Sequence, residues 1–253
     1  MTTCASCRAP MSGPFCARCG QRAREGRLTL RTVAGHVVEA FDVNRGLLFT
    51  ALELSRRPGA AIREYVDGQT VRFTNPVKYF LILATLTTLA YVATGAAAEM
   101  EAEMIVGATH ESPDARLSEA LRQASEVVRT YLNLVMAASV PFSALATRLL
   151  FRRAGMNLAE HAVFNLYAYA HTSLFFVAAL VAGMAAGISY ESSTGVYLLL
   201  TVAYIGWAAQ GFFQMRLLPA LLRSAVAMFL TSLVYSVVVV AGIGAYAAVL
   251  MRR

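Results

Sequence analysis

The sequence predicts an all-α polytopic membrane protein of about five transmembrane helices, with a small N-terminal Cys4 zinc-ribbon module. Three observations predict it. Hydrophobic residues make up 57% of the 253 residues and charged ones only 15%, a balance foreign to soluble domains. Five apolar stretches follow residue 76, each near or above the roughly 20 residues that span a bilayer core. All four cysteines fall within the first 19 residues, in two Cys-x-x-Cys hooks.

The hooks define the first segment, 1–27. Cys4 and Cys7 form one, Cys16 and Cys19 the other, eight residues apart. This spacing places four thiolates tetrahedrally around one metal ion, with zinc the first expectation and a rubredoxin-like iron site its competitor. Disulfide pairing is disfavoured because nothing else argues for an oxidising compartment. Pro10, Gly13 and Pro14 supply the turn between hooks, and Gly20 frees the backbone after the second. A closed four-sulfur site holds a fold together rather than catalysing. Arg8, Arg18, Arg22 and Arg24 offset the negative charge of four thiolates on Zn²⁺. Residues 1–27 lack the apolar core of a cleavable signal peptide.

The second segment, 28–75, reads as amphipathic helices and a basic neck. Leu30 to Phe41 has an apolar face of Val33, Val37, Ala40 and Phe41, with His36 facing solvent. Leu47, Leu48, Ala51, Leu52 and Leu54 form a second short helix stopping before Pro58, and Ala60 to Tyr65 a third turn or two ended by Asp67-Gly68. These helices are expected partly in the headgroup layer and partly against the bundle. Arg56, Arg57, Arg63, Arg72 and Lys78 are the candidate contacts to lipid headgroups or a partner. Arginine supplies 21 of the chain's 22 basic side chains, and its planar fork suits phosphate.

The hooks ending Cys19-Gly20-Gln21, then Pro58-Gly59, Tyr65, Gly68, Arg72-Phe73 and Asn75-Pro76-x-x-Tyr79, resemble a bacterial family known only by a domain-of-unknown-function label. Glu160-His161-x-Val163-Phe164 resembles a second segment of it. The resemblance covers the first 90 residues and implies a zinc ribbon ahead of a membrane domain, with no activity to carry over. Here the first hook, Cys4-Ala5-Ser6-Cys7-Arg8, departs from the pattern in lacking a following glycine.

The third segment, 76–253, holds spans at 77–98, 131–151 with a kink at Pro141, 162–187, 196–215 and 225–250. With the N-terminus in the cytoplasm, 17 basic residues fall on that side and five opposite. Arg252-Arg253 then lie on the far side, where they snorkel or else mark one span as re-entrant. Gly206, Gln210 and Gly211 make the fourth span the suspect. The intervening external loop, 99–130, carries seven acids against three arginines. Ser112-Pro113-Asp114 starts a helix there, and Glu99, Glu101 and Glu103 read as a solvated charge run before a cation site. Gly183-x3-Gly187, Gly242 and Gly244 permit close helix packing and a homo-oligomer.

Polar residues at membrane depth are costly and mark sites. Glu160, His161, Asn165, His171 and Gln210 are the candidate intramembrane set. Glu160 and His171 share a face with Phe164 and Tyr167 but stand about 16 Å apart along the axis, too far to chelate one ion. The structural alternative has Glu160 pairing with Arg152 or Arg153 at the interface and His171 bonding an adjacent helix.

The net charge of +7 is accounted for by basic cytoplasmic loops, so nucleic acid is not the expected partner. No nucleophile elbow, phosphate loop, zinc-protease helix or dinucleotide fingerprint is present. The leading expectation is a membrane-anchored interaction or regulatory protein in the bacterial inner membrane. It would present a basic cytoplasmic surface to a partner protein or to anionic lipid. A small transporter or channel using the third span is the alternative, and a membrane enzyme acting on lipid the third.

Overall fold

The computed structural model describes residues 2–23, 46–94, 132–187 and 190–251, with Gln123 and Val127. The expected helix at 30–41, His36, Arg24, the acidic loop with Glu99, Glu101 and Glu103, and Arg252-Arg253 lie outside the described residues.

At the N-terminus, β1 (Thr2–Thr3) pairs antiparallel with β2 (Pro10–Met11). An isolated bridge joins Phe15 to Arg22. Each pairing frames one hook, and the two hooks close alike: Cys4 N–H donates to Ala9 and Cys16 N–H to Gln21, while Arg8 and Gly20 donate back to Cys4 and Cys16. Gly20 has φ 72° and Arg8 φ 59°. Arg8 thus takes the left-handed conformation that glycine supplies in the second hook, which is how the first one closes without glycine.

Two short helices follow, α1 (Leu47–Arg56) and α2 (Pro58–Val66). Pro58 separates them: it forbids a continued helix and starts the next with its fixed φ. Their side chains divide between surface and bundle, α1 itself burying Thr50 and Leu54. On α1, Leu48 is 73% exposed. On α2, Ala61, Ile62, Tyr65 and Val66 are buried in the main core. Burying a side chain such as Ile62 contributes about 1.5–3 kcal/mol.

Among the described residues, five long helices form the body: α3 (Pro76–Thr94), α4 (Leu132–Leu150), α5 (Leu158–Ala186), α6 (Tyr190–Phe212) and α7 (Leu217–Met251). Four are long and apolar enough to cross a membrane, and Ala137–Leu150 of α4 is a shorter apolar helix. The protein is therefore a helical membrane protein with an N-terminal cysteine cluster. Exposed leucines and valines cover α3, α6 and α7, as hydrocarbon contact requires. The helices pack in the pairs α3–α5, α5–α6, α6–α7, α4–α5 and α4–α7.

Several boundaries differ from the sequence reading. α5 starts at Leu158, four residues before the expected 162, because Asn157 and Glu160 form a reciprocal capping box. α7 starts at Leu217 rather than 225, with Pro219 in its first turn, where no intrahelical N–H is needed. α6 runs unbroken through Gly206 and Gly211, so these glycines do not interrupt the fourth span. A Cβ on Gly206 would lie 2.3 Å from Leu221 of α7, and one on Gly211 3.1 Å from Gly59 of α2. Both are packing positions. Gly187 ends α5 as a left-handed cap at φ 67°, so it is a stop signal rather than half of a packing pair. Cβ atoms on Gly242 and Gly244 would meet nothing within 4 Å.

The cysteine cluster, the α1–α2 hairpin, the α4–α5 turn and the α6–α7 turn share one end of the bundle. Arg63 of α2 donates to the Phe212 carbonyl at 3.0 Å, and Phe151 stacks on Phe213 at 4.2 Å. Arg148, Arg152, Arg153, Arg216 and Arg223 all belong to this end.

Candidate metal centre

The four cysteine sulfurs converge from the two hooks. All lie within 4.8 Å of one another. Cys4 Sγ is 3.6 Å from Cys19 Sγ, and Cys7 Sγ 3.6 Å from Cys16 Sγ. None is bonded to another. A tetrahedral ion with about 2.3 Å metal–sulfur bonds needs sulfurs about 3.8 Å apart, so this cage fits one. The nearest contacts run between hooks, each hook thus sharing the same centre. Cys4 and Cys16 are buried, Cys7 and Cys19 half-buried.

The backbone prepares these thiols for a cation. A hydrogen bond from the Cys7 backbone pulls the Cys4 thiol down to about 6. Backbone hydrogen bonds at Arg18 and then Cys19 lower Cys16. At Cys19 the Gln21 backbone also lowers, but burial and the other three thiols outweigh it and push the group up to about 12. Backbone hydrogen bonds thus favour the thiolate at Cys4 and Cys16, while burial and the neighbouring thiols oppose it at Cys19. Four sulfurs would fill a tetrahedral ion's coordination and leave it no open position.

Gln21 anchors this head to the rest of the chain. It is 2% exposed. Its side-chain amide donates to the Gly68 carbonyl at 2.6 Å and to Thr70 Oγ1 at 3.2 Å. Its Oε1 accepts the Val71 N–H at 3.2 Å. The neck carries the contact onward: the Thr74 N–H donates to Thr50 Oγ1 at 2.8 Å, and Tyr167 of α5 donates its hydroxyl proton to the Thr74 carbonyl. Sequence reading missed Gln21, though it stood in the motif beside Cys19-Gly20.

The intramembrane set does not converge. Glu160 accepts the Asn157 N–H at 2.7 Å, turning back on its own helix rather than out to Arg152 or Arg153. Asn165 donates to Thr147 Oγ1 at 2.9 Å and to the His161 carbonyl at 2.7 Å. His161 is fully buried against Phe213, ring centroids 5.2 Å apart, and neither ring nitrogen has a hydrogen-bond partner among the described residues. His171 joins three helices: Nδ1 lies 2.8 Å from the Tyr79 hydroxyl of α3 and Nε2 3.1 Å from Ser55 Oγ of α1. Gln210 is half-buried near the end of α6.

The candidate surface cations are largely used internally. Arg57 pairs with Glu53 and Glu64. Arg63 holds the Phe212 carbonyl and faces Asp67 at 3.6 Å. Arg72 bonds Gln69 Oε1 at 2.7 Å and lies over the Phe49 ring. Arg56 is exposed, and Lys78 half-buried at the start of α3.

The model of one family, described as "Protein of unknown function (DUF3667)", matches residues 44–88. That stretch contains Pro58-Gly59, Tyr65, Gly68, Arg72-Phe73 and Asn75-Pro76-x-x-Tyr79, so the resemblance carried by those residues is borne out there. Each motif position has work in the fold: Gly59 meets α6, Tyr65 packs on Tyr167 at 5.4 Å, Gly68 holds Gln21, and Tyr79 holds His171. No curated protein and no solved structure matches the chain.

Proposed function

We propose that the protein is a membrane-anchored zinc-ribbon adaptor of the bacterial inner membrane. Its metal-bound head and basic end face the cytoplasm and engage a partner protein. The observation that carries this reading is the Gln21 clamp. A closed metal site fixes the head's shape, and the clamp fixes that shape against a bundle buried among lipids. A partner docking on the head would therefore meet a surface held in one orientation. Zinc suits four thiolates in a closed tetrahedron. The arginines of the α4–α5 and α6–α7 turns stand at the same end as the head, which supports a cytoplasmic N-terminus. Glu160, Asn165 and His171 are held in hydrogen bonds within the protein rather than turned toward one path, which favours the adaptor over the transporter.

The test joins three measurements on the full chain. Elemental analysis of the purified protein should give one zinc per chain. A reporter fused to the N-terminus should be active only in the cytoplasm. Cys16→Ser should lose the metal and the cross-linking of a partner while staying in the membrane fraction. A head on the outer side, or wild-type protein purified without zinc or iron, would defeat the proposal.

A further inference from the structure

We propose that a cavity between the α4–α5 turn and the start of α7 holds the phosphate group of an anionic membrane phospholipid. The cavity is open on one side, has a volume of about 230 Å³ and is lined by Phe151, Arg153, Ala154, Phe213, Met215 and Arg223. The two arginines arrive from different elements, Arg153 from the 3-10 turn Arg152–Ala154 and Arg223 from the second turn of α7. Neither has an ion-pair partner among the described residues. The acids whose side chains are described are used elsewhere: Glu53 and Glu64 on Arg57, Asp67 on Arg63, and Glu160 on its own cap. Two uncompensated guanidinium groups at one cavity repel each other, and an anion between them removes that repulsion. Their planar forks match phosphate oxygens.

The remaining lining decides what carries the phosphate. Phe151 is 1% exposed and Phe213 7% exposed, and with Ala154 and Met215 they make an apolar wall. A free phosphate ion gains nothing from such a wall, whereas a glycerol backbone and the first acyl carbons do. The exits suit acyl chains as well. Leu149 at the end of α4 and Leu218 and Leu222 at the start of α7 are all more than half exposed, and these two helices are neighbours. Basic pockets between helices at the headgroup level are the usual seats of anionic lipids. The inference rests on the membrane-spanning reading of the body and is independent of the metal head.

The test uses the full chain in nanodiscs of equal phosphatidylglycerol and phosphatidylcholine, with bound lipid measured after detergent extraction. Wild-type protein should retain phosphatidylglycerol preferentially. R153Q/R223Q should lower that preference about ten-fold. A154L, which keeps both charges but fills the cavity, should lower it too. R152Q, on the neighbouring exposed position, should leave it unchanged. In lipid-free detergent, short-chain phosphatidylglycerol should raise the unfolding temperature and inorganic phosphate should not. Equal lipid retention by wild type and R153Q/R223Q would overturn the inference, as would phosphate alone giving the full stabilisation. Metal content, measured on each variant, should match wild type; its loss would count against the adaptor reading and not against the cavity.

Discussion

Gln21 and Gly68 are joined by a buried 2.6 Å hydrogen bond across 47 residues of chain. Through it the turn that closes the metal cage is also the turn that holds the neck. Gln21→Ala removes both donors and the acceptor of Val71. The buried Gly68 carbonyl then keeps only the Thr70 N–H at 3.0 Å, while Val71, 43% exposed, recovers water. The expected local cost is about 2 kcal/mol. Metal content should stay at the wild-type level while the Val71 amide exchanges faster in hydrogen-exchange measurements. Unchanged exchange would show that the head is held by something else.

Arg8 supplies a second prediction, because it sits at φ 59° where the other hook has Gly20. A side chain in the left-handed region costs about 1–2 kcal/mol relative to the right-handed one. Arg8→Gly and Arg8→Ala remove the same charge, so their difference isolates the backbone. The glycine variant should hold its metal more tightly by about 1 kcal/mol, several-fold in a chelator competition. Gly20→Ala should lose a similar amount, although its Cβ would meet nothing within 4 Å. Equal metal affinity in the two Arg8 variants would refute the strain account.

How far the sequence is legible follows from the range of each interaction. The cysteine cage is local, its hooks eight residues apart, and spacing alone identifies it. The long helices are local too, since hydrophobic length defines them. The start of α5 was legible and overlooked: Asn157 and Glu160 stand three apart before an apolar run, a capping box. The docking of α2 was not legible. Gly59 meets Gly211 only because two distant helices cross there, and nothing in the local pattern of either marks it. His171 was visible as a buried polar residue, but Ser55, 116 positions away, carries no signal that would name it as the partner.

The Gly59 crossing is severe enough to test by a single methyl group. A Cβ at Gly59 would lie 2.4 Å from the Ala208 carbonyl oxygen, 2.5 Å from the Phe212 nitrogen and 2.6 Å from Gly211 Cα. All three are backbone atoms, so no side chain can turn aside and the helices must part. Gly59→Ala should destabilise the purified protein by about 1–3 kcal/mol or more, and Gly59→Val further. Gly211→Ala should be milder, since its nearest contact is 3.1 Å. Gly242→Ala and Gly244→Ala meet no neighbour and should stabilise their helix by up to about 1 kcal/mol each. Thermal unfolding in detergent reads the order, and an unaffected Gly59→Ala would mean that α2 does not lie against α6.

The two buried histidines should respond in opposite directions to the same substitution. His171 uses both ring nitrogens, on Tyr79 and Ser55. His171→Phe therefore strands the hydroxyl of Tyr79, itself 0% exposed, at a cost of about 1–3 kcal/mol. Ser55 suffers less because it also donates to the Ala51 carbonyl at 2.8 Å. His161 has no such bonds to lose, and phenylalanine in its place keeps the ring contact with Phe213 while removing two buried polar atoms. His161→Phe should be neutral or stabilising. The Tyr79→Phe variant completes the argument. If the Tyr79–His171 bond is the source of the stability, Tyr79→Phe should cost little once His171 is already phenylalanine, and a double-mutant cycle should return about 1–2 kcal/mol of coupling. Strict additivity of the two changes would mean that the rings merely fill space, and that α3 and α5 are joined there by packing alone.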